Sequence, residues 1–226
     1  MIAAVIFDLD GTALDNEHKW EDVFRKVANS HALEYGSKWI HEPGIGGIGV
    51  GPNWEKIVGK GERAEKLARQ TWNLYWQETK NAGNVQVMAG LEELVRAVKE
   101  RGWLTALATG TNWNVVESEL EQLNLWLAFD VTTTGEEVLA QKPDPEIYTL
   151  TAQKLGVEPE NCVVIEDSVA GVESAVAAGT TVVGLTSGYA SEGQLKKAGV
   201  KYVVDSLGEV MVSLGEYVGE KKMVGG

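Results

Sequence analysis

Short apolar runs alternate along the chain with longer stretches in which apolar side chains recur at helical spacing. The runs cover residues 2–7, 103–109, 129–133, 162–166 and 181–185, with a shorter candidate at 201–204. A short, mostly apolar run predicts a strand that is buried on both faces. Between the runs, apolar residues follow helical spacing, as in residues 91–101. This alternation predicts an α/β core, in which helices cover both faces of a mostly parallel sheet.

Residues with strong positional preferences predict where two of the later helices begin and end. Asp144 and Pro145 are typical of a helix start, and Gly156 is typical of the end of the same helix. Ser168 is the predicted cap of the next helix, on which Val176 is expected to face inward.

Residues 16–87 interrupt the alternation, because they contain no convincing strand. Helical spacing is present at about 17–33 and 62–80, and a glycine-rich stretch at 43–52 separates the two. Five of the chain's eight tryptophans lie in this segment, at Trp20, Trp39, Trp54, Trp72 and Trp76. We therefore predict a small helical domain at residues 16–87, inserted into a core that is formed by residues 1–15 and 88–226.

The composition narrows the choice of partners. The formal net charge of −13 argues against nucleic acid or an anionic membrane as the main partner. It still permits a small anionic substrate, since a bound cation and a few donors can reverse the field within one cleft. No apolar run approaches the length of about 20 residues that spans a bilayer. Asp8 and Asp10 also interrupt the first run before it could serve as a signal peptide, so a cytoplasmic protein is expected.

Polar side chains cluster where the predicted strands end. They are Asp8 and Asp10 after the first strand, Thr109, Gly110 and Thr111 after the second, Lys142 after the third, and Glu166 with Asp167 after the fourth. Ligands of open parallel sheets bind outside these carboxyl ends. Clustered carboxylates repel one another unless a cation lies between them, and an oxygen-only ligand set suits Mg²⁺. A hydroxyl, backbone N–H groups and an ammonium suit a phosphoryl group.

Four short motifs support a family resemblance. FDLDGT at residues 7–12, LATGT at 107–111, Lys142 within QKPDP and IEDSVAG at 165–171 occur in this order. The set resembles the haloacid dehalogenase superfamily, and within it the Mg²⁺-dependent phosphatases that carry a helical cap after the first motif. The resemblance implies a Rossmann-like core of three layers. The strands are expected in the order fifth, fourth, first, second, third, because this order brings all four strand ends around one point.

The resemblance also implies catalytic roles for the strand-end residues. Asp8 would be the nucleophile that attacks phosphorus and forms an aspartyl-phosphate. Asp10 would protonate the leaving alcohol and then activate a water molecule. The residues that would hold the phosphoryl group are Thr109, Lys142, Gly110 and Thr111.

A Mg²⁺ cofactor follows from the same resemblance. The residues that would hold it are Asp8, Asp167 and the backbone carbonyl of Asp10, with Glu166 at the edge of the site. It would shield the charge that otherwise keeps an anionic nucleophile from an anionic substrate. On the cap, Asn53 and Trp54 beside the glycine-rich stretch are candidates for substrate contact. A surface loop without such contact is an equal alternative for this stretch.

We therefore expect a phosphatase that hydrolyses a small phosphorylated metabolite. A sugar phosphomutase resembling β-phosphoglucomutase is the alternative, because it shares every core motif and differs only in the cap. Asp10 argues against a dehalogenase and against a phosphonate-cleaving relative, since both lack this acid. A catalytically silent binding protein would have lost a motif, and every motif is present. The natural substrate stays open among sugar phosphates, phosphoglycolate, nucleotides and pyrophosphate.

Overall fold

The computed structural model describes residues 1–34, 47–81, 83–213 and 215 of the chain. Trp39 and positions 43–46 of the glycine-rich stretch, both assigned to the predicted insert, lie outside the described residues. Within the described residues, no helix has the length and apolar content that crossing a membrane requires.

The described strands form one six-stranded parallel sheet, in the order β3-β2-β1-β4-β5-β6. The strands are β1 (Ala4–Phe7), β2 (Leu104–Ala108), β3 (Val131–Thr133), β4 (Cys162–Glu166), β5 (Thr181–Leu185) and β6 (Tyr202–Val204). The predicted order of the first five strands is thus confirmed. The short candidate at 201–204 is the sixth strand, and it extends the sheet beyond β5.

The register of the sheet places the motif residues at one level. Phe7 of the central strand β1 pairs with Leu107 of β2 on one side and with Ile165 of β4 on the other. Asp8 and Glu166, which come next in the chain, therefore lie at the same carboxyl edge of the sheet.

Helices cover both faces of the sheet. The described helices are α1 (Glu17–Ser30), α2 (Val50–Val58), α3 (Glu62–Thr79), α4 (Leu91–Glu100), α5 (Trp113–Gln122), α6 (Glu146–Leu155), α7 (Val169–Ala177) and α8 (Glu192–Ala198). Because side chains alternate between the faces of a strand, Val5 and Phe7 pack with α4 and α5. Ala4 and Ile6 pack with α6, α7 and α8 on the opposite face. The predicted three-layer α/β core is therefore confirmed.

The helices α1, α2 and α3, which we call the helical insert, pack around a separate apolar cluster. Between β1 and β2, the described residues contain no strand. Helix α2 was not predicted, because its glycines and Pro52 are typical of a loop. Pro52 lies in the first helical turn, where the absence of an N–H group is tolerated. Val115 of α5 joins the insert's cluster, so the insert packs on the core.

Two details of the later helices differ from the prediction. Pro145 is the cap of α6, and the Asp144 carboxylate instead accepts a hydrogen bond from the Glu146 N–H at 3.0 Å. Ser168 caps α7 as predicted, since its hydroxyl accepts from the N–H three residues later. The prediction for Val176 was wrong: this residue is 42% exposed, and the buried residues of α7 are Ala170, Gly171, Val172, Ser174 and Ala175.

Candidate active site

A buried lysine lies between two acids at the carboxyl ends of the central strands. Lys142 Nζ is 2.5 Å from Asp8 Oδ1 and 2.6 Å from Glu166 Oε1. All three side chains are buried. Burial alone would lower the pKa of Lys142, but Asp8 and Glu166 raise it well above its usual value. The lysine therefore carries a positive charge beside Asp8.

The contacts of Glu166 show what holds this lysine. Oε1 of Glu166 accepts hydrogen bonds from Lys142 and from the Tyr148 hydroxyl at 2.7 Å. Oε2 accepts from both the N–H and the hydroxyl of Ser168, each at 3.0 Å. Four donors occupy the acceptor sites of this carboxylate. The contacts thus favour a role in holding Lys142 over the predicted place at the edge of a metal site.

Two residues around Glu166 explain how α6 and α7 approach it. A Cβ atom on Gly171 would lie 1.7 Å from Glu166 Oε1, so only glycine permits this closeness. Tyr148 was missed by the sequence analysis, because a tyrosine on the apolar face of α6 is expected to belong to the core. The Tyr148 hydroxyl donates to Glu166, and this contact becomes visible only in the folded structure.

The third acid, Asp167, completes a buried cluster. Asp8, Glu166 and Asp167 each offer a carboxylate oxygen, and these oxygens lie within 4.8 Å of one another. Burial raises the pKa of Asp8 to about 8, with Lys142 opposing the rise. Burial also raises the pKa of Asp167 well above its usual value, with Glu17 adding to the effect. A cation between these carboxylates would reduce the repulsion among their negative charges, and carboxylate oxygens are ligands that suit Mg²⁺.

Glycines leave space around Asp167. A Cβ on Gly11, which has a φ of +78°, would lie 2.3 Å from Asp167 Oδ2. A Cβ on Gly188 would lie 1.9 Å from the same oxygen. On its other oxygen, Asp167 accepts a hydrogen bond from the Thr12 hydroxyl at 3.1 Å. The backbone at these two glycines therefore lies close to the Asp167 carboxylate. This close approach leaves room for the carboxylate beside the other two acids.

The Asp10 carboxylate accepts hydrogen bonds from both sides of the cleft. Oδ1 accepts from Asn16 Nδ2 at 2.6 Å and from Trp20 Nε1 at 2.7 Å. Oδ2 accepts from the Thr111 hydroxyl at 2.6 Å and from the Thr109 hydroxyl at 3.3 Å. Donors on both oxygens hold the plane of the carboxylate.

The residues predicted to hold a phosphoryl group lie together. Thr109, Gly110, Thr111 and Lys142 all line one cavity with Asp8 and Asp10. The Thr109 hydroxyl accepts a hydrogen bond from the Thr111 N–H at 3.0 Å, which shapes the turn between β2 and α5. Hydroxyls, backbone N–H groups and one ammonium therefore surround the same space.

The helical insert forms the opposite side of this cavity of about 100 Å³. Besides Glu17 and the glycines Gly47 and Gly49, five residues of the insert line this side, and we call these five the insert wall: Trp20, Phe24, Val50, Asn53 and Trp72. Asn53 is buried, and its Oδ1 has no hydrogen-bond partner among the described residues. Of the described residues that line the cavity, Lys142 alone is cationic.

Glu17 also lines the cavity, a position that was not predicted from the sequence. Its pKa is raised to about 8 by burial and by the neighbouring charges of Asp10 and Asp8. An acid in the first turn of a helix is usually explained by the helix dipole. The sequence therefore offers no signal that this acid faces the other carboxylates.

Trp54, in contrast, does not reach the cavity. Its indole is fully buried in the insert, where Nε1 donates a hydrogen bond to the Thr71 hydroxyl at 2.8 Å. Its ring lies 5.3 Å from that of Phe24, measured between centroids. Successive residues on a helix point in directions about 100° apart, so Asn53 can face the cavity while Trp54 faces the insert's core. The predicted substrate contact by Trp54 is therefore corrected.

Comparison with known proteins identifies the family. Residues 2–179 match the family described as "Hydrolase: haloacid dehalogenase-like hydrolase". The chain is 34% identical over 181 residues to "Phosphorylated carbohydrates phosphatase" of Thermotoga maritima, an alignment covering 78% of this chain and 81% of the relative. It is 29% identical over 191 residues to "Hexitol phosphatase B" of Escherichia coli strain K12, covering 78% of this chain and 80% of the relative.

A solved structure extends the similarity to nearly the whole chain. The crystal structure of β-phosphoglucomutase (pgmB) from Clostridium difficile has a TM-score of 0.81 and 26% identity to this chain. The match covers 96% of this chain and 99% of the other.

Proposed function

The chain belongs to the haloacid dehalogenase-like hydrolase family, and from this premise we propose that it is a Mg²⁺-dependent phosphatase of small phosphorylated carbohydrates or polyols. One observation carries the proposal. Asp8 lies at the end of the central strand, 2.5 Å from Lys142, within a buried cluster of acids. A carboxylate beside an ammonium and a candidate cation site is suited to attack a phosphoryl group.

The first half of the proposed reaction transfers the phosphoryl group to the protein. An Asp8 carboxylate oxygen bonds to phosphorus while the bond from phosphorus to the leaving oxygen breaks. Asp10, protonated for this step, gives its proton to the leaving oxygen, so that an alcohol departs. Lys142 and the hydroxyl of Thr109 would hold the phosphoryl oxygens during transfer.

The second half regenerates the enzyme. Asp10, now a carboxylate, removes a proton from a water molecule, whose oxygen bonds to phosphorus. The bond between phosphorus and the Asp8 oxygen breaks, which restores the Asp8 carboxylate and releases inorganic phosphate. The donors around Asp10 stabilise the carboxylate that this step needs.

The residues of the cluster fit a magnesium ion. Asp8, Asp167 and the backbone carbonyl of Asp10 would hold it, because Glu166 already accepts four hydrogen bonds. When bound, it supplies positive charge that reduces the repulsion between an anionic nucleophile and an anionic substrate.

The insert wall supports a phosphorylated carbohydrate or polyol as the substrate. The unpartnered Oδ1 of Asn53 can accept a hydrogen bond from a substrate hydroxyl. The aromatic rings of Trp20, Phe24 and Trp72 offer apolar surface to the carbon skeleton. The two named relatives, a phosphatase of phosphorylated carbohydrates and a hexitol phosphatase, support the same class.

We also propose that residues 16–87 act as a cap. A cavity of about 100 Å³ is smaller than the roughly 300 Å³ or more of typical ligand sites, so movement of the insert would make room for a sugar phosphate. The chain crosses between core and insert at residues 15–16 and 86–90. Changes in backbone angles there leave the sheet hydrogen bonds intact.

A sugar phosphomutase is the second candidate, because the β-phosphoglucomutase from Clostridium difficile matches nearly the full length of this chain. A mutase that handles two phosphates needs cationic groups for the second one. The cavity lining described above contains a single cation, Lys142, which favours the phosphatase.

The test is phosphate release from a panel of monophosphorylated sugars and hexitols, with the sugar products identified by NMR. A phosphatase yields inorganic phosphate and free sugar, whereas a mutase yields an isomeric sugar phosphate. Rapid quenching followed by peptide mapping should locate a transient acyl-phosphate on Asp8. If wild-type protein with Mg²⁺ released phosphate from no substrate, including 4-nitrophenyl phosphate, the proposed function would be wrong.

A further inference from the structure

Behind Asp10, three buried polar side chains form a line that the proposed reaction does not use. Asn16 Nδ2 lies 2.8 Å from the Tyr75 hydroxyl, and that hydroxyl lies 2.9 Å from Glu119 Oε1. The same Asn16 nitrogen lies 2.6 Å from Asp10 Oδ1. All three side chains are almost inaccessible to solvent. The line thus connects Asp10 to a residue of α3 in the insert and to a residue of α5 in the core.

Hydrogen-bond chemistry determines the direction of each contact. The Asn16 oxygen accepts from the Gly11 N–H at 3.2 Å, so its amide nitrogen must be the group that faces Tyr75 and Asp10. The two protons on that nitrogen go to the Tyr75 oxygen and to Asp10 Oδ1. Because Tyr75 accepts one of them, its own proton points to Glu119. Each donor therefore has one acceptor, and the chain of bonds ends at Glu119.

Glu119 is a buried acid on a helix face that is otherwise apolar. It lies on the buried face of α5 beside Val115, Val116 and Leu120, where an apolar side chain would be expected. Its Oε2 has no partner within the described part of the chain. Burial, with a contribution from Asp10, raises its pKa well above the usual value. Burying a polar group of this kind is costly, and the hydrogen bond from the Tyr75 hydroxyl offsets part of that cost.

The aromatic ring of Tyr75 also has a defined contact. It stacks on the Trp20 indole with centroids 3.5 Å apart and planes 7° apart. Trp20 is itself the second donor to Asp10 Oδ1, at 2.7 Å. Tyr75 thus supports both donors of that oxygen, one through its hydroxyl and one through its ring.

We propose that Glu119, Tyr75 and Asn16 are positioning residues for Asp10. The acceptor on α5 orients the Tyr75 hydroxyl, which orients the Asn16 amide, and this amide holds the Asp10 carboxylate in the plane that proton transfer requires. The inference rests on the proposed function, since it concerns the acid and base of that reaction. It adds a requirement: Asp10 is aligned only while the insert contacts α5.

Four variants test the relay by activity. Tyr75→Phe keeps the stacked ring and removes the hydroxyl, and Glu119→Leu removes the terminal acceptor. Each should lower kcat by about 10-fold while KM changes by less than about 2-fold, because alignment of a reacting group is lost. Glu119→Gln keeps an acceptor oxygen and should retain at least about half of wild-type kcat. Thr79→Val is the control, since its hydroxyl, on the same helix, donates to the Tyr75 backbone carbonyl and takes no part in the line to Asp10.

The leaving group separates positioning from a general structural defect. Release of the leaving group should be followed in single turnovers with an alkyl phosphate and with 4-nitrophenyl phosphate. An alkoxide needs the proton from Asp10, whereas nitrophenolate departs with little protonation. Tyr75→Phe should therefore slow the alkyl substrate at least about 5-fold more than the aryl substrate. Equal losses on both substrates, or equal losses in Thr79→Val, would overturn the proposal.

An NMR measurement tests the line of hydrogen bonds without relying on enzymatic activity. In ¹⁵N-tryptophan-labelled protein, the indole N–H resonance of Trp20, assigned with Trp20→Phe, reports on its bond to Asp10. Tyr75→Phe and Glu119→Leu should shift this resonance, whereas Glu119→Gln and Thr79→Val should leave it in place. An unchanged resonance in Tyr75→Phe would contradict the relay. If wild-type protein lacked phosphatase activity but the resonance shifted as described, the proposed function would fail and the relay would stand.

Discussion

The two sides of the cavity differ in how completely their polar groups are paired. On the core side, Asp8, Lys142 and Glu166 form a buried set in which Lys142 contacts both acids. On the side of the insert wall, the surface is mostly aromatic, and Asn53 Oδ1 lacks a partner among the residues that the structure describes. A paired, buried set is held rigidly, whereas an acceptor oxygen without a partner beside apolar rings can accept a hydrogen bond from a ligand.

This difference indicates that the core side carries out the reaction and that the insert wall selects the substrate. Groups that react must be aligned before the substrate binds, so the polar groups on the core side form their hydrogen bonds with other groups of the protein. Groups that select a substrate must exchange bonds with it, so the insert wall keeps one acceptor unpaired. Changes on the core side should therefore affect every substrate, and changes at the insert wall should affect some substrates only.

Replacing the proposed nucleophile should have the largest effect. Asp8→Asn should lower kcat by at least about 10³-fold on every phosphorylated substrate, because an amide cannot form the acyl-phosphate. Phosphate release measures the effect. Asp15→Asn is the matched control, since this exposed acid belongs to the same segment and lies 4.0 Å from an exposed His18. Comparable activity in Asp8→Asn and wild type would remove Asp8 from the mechanism.

Removing the metal should have the second-largest effect on activity. Treatment with EDTA should lower activity by about 10²-fold or more, and added Mg²⁺ should restore it, because the acid cluster needs a counter-charge. Mg²⁺ should also raise the melting temperature of the wild-type protein, since a ligand that binds only the folded state stabilises it.

Asp167→Asn gives the binding control for this prediction. The variant should lose the Mg²⁺-dependent rise in melting temperature, because one of the proposed ligands has become a neutral amide. Full activity in EDTA would show that the acid cluster works without a cation.

Asn53→Ala should have a smaller and selective effect. It should reduce kcat/KM for the preferred sugar or hexitol phosphate by about 10-fold, since one hydrogen bond to a substrate hydroxyl is lost. Hydrolysis of 4-nitrophenyl phosphate should stay unchanged. Glu55→Gln, on the same helix but outside the cavity lining, is the control. A uniform loss on all substrates would show that Asn53 supports the fold and does not select.

Trp54→Phe should change activity least, by less than about 2-fold on any substrate, because its ring faces the core of the insert. The lost hydrogen bond to Thr71 should instead lower the free energy of unfolding by about 1–3 kcal/mol, since a buried hydroxyl loses its donor. Chemical denaturation measures this loss. A change in substrate preference would mean that Trp54 contacts the substrate after all.

Most of the core could be predicted from the sequence because its signals are local. Each strand is a short apolar run, and the residue that follows it necessarily lies at the carboxyl end. The order of the motifs then restricts the sheet to arrangements that gather Asp8, Thr109, Lys142 and Asp167 at one edge. The insert was harder, because the glycines and the proline at the start of α2 hide its helical spacing.

The sequence by itself therefore determined the parallel sheet, its five-strand order and the residues at the carboxyl edge. Tertiary structure alone decided which polar groups meet there: Tyr148 with Glu166, Glu17 near Asp167, and the line from Glu119 to Asp10. Apolar periodicity records which face of a helix is buried, because burial depends on the helix itself. It does not record which buried polar atoms become partners, because that depends on the packing of elements far apart in the chain.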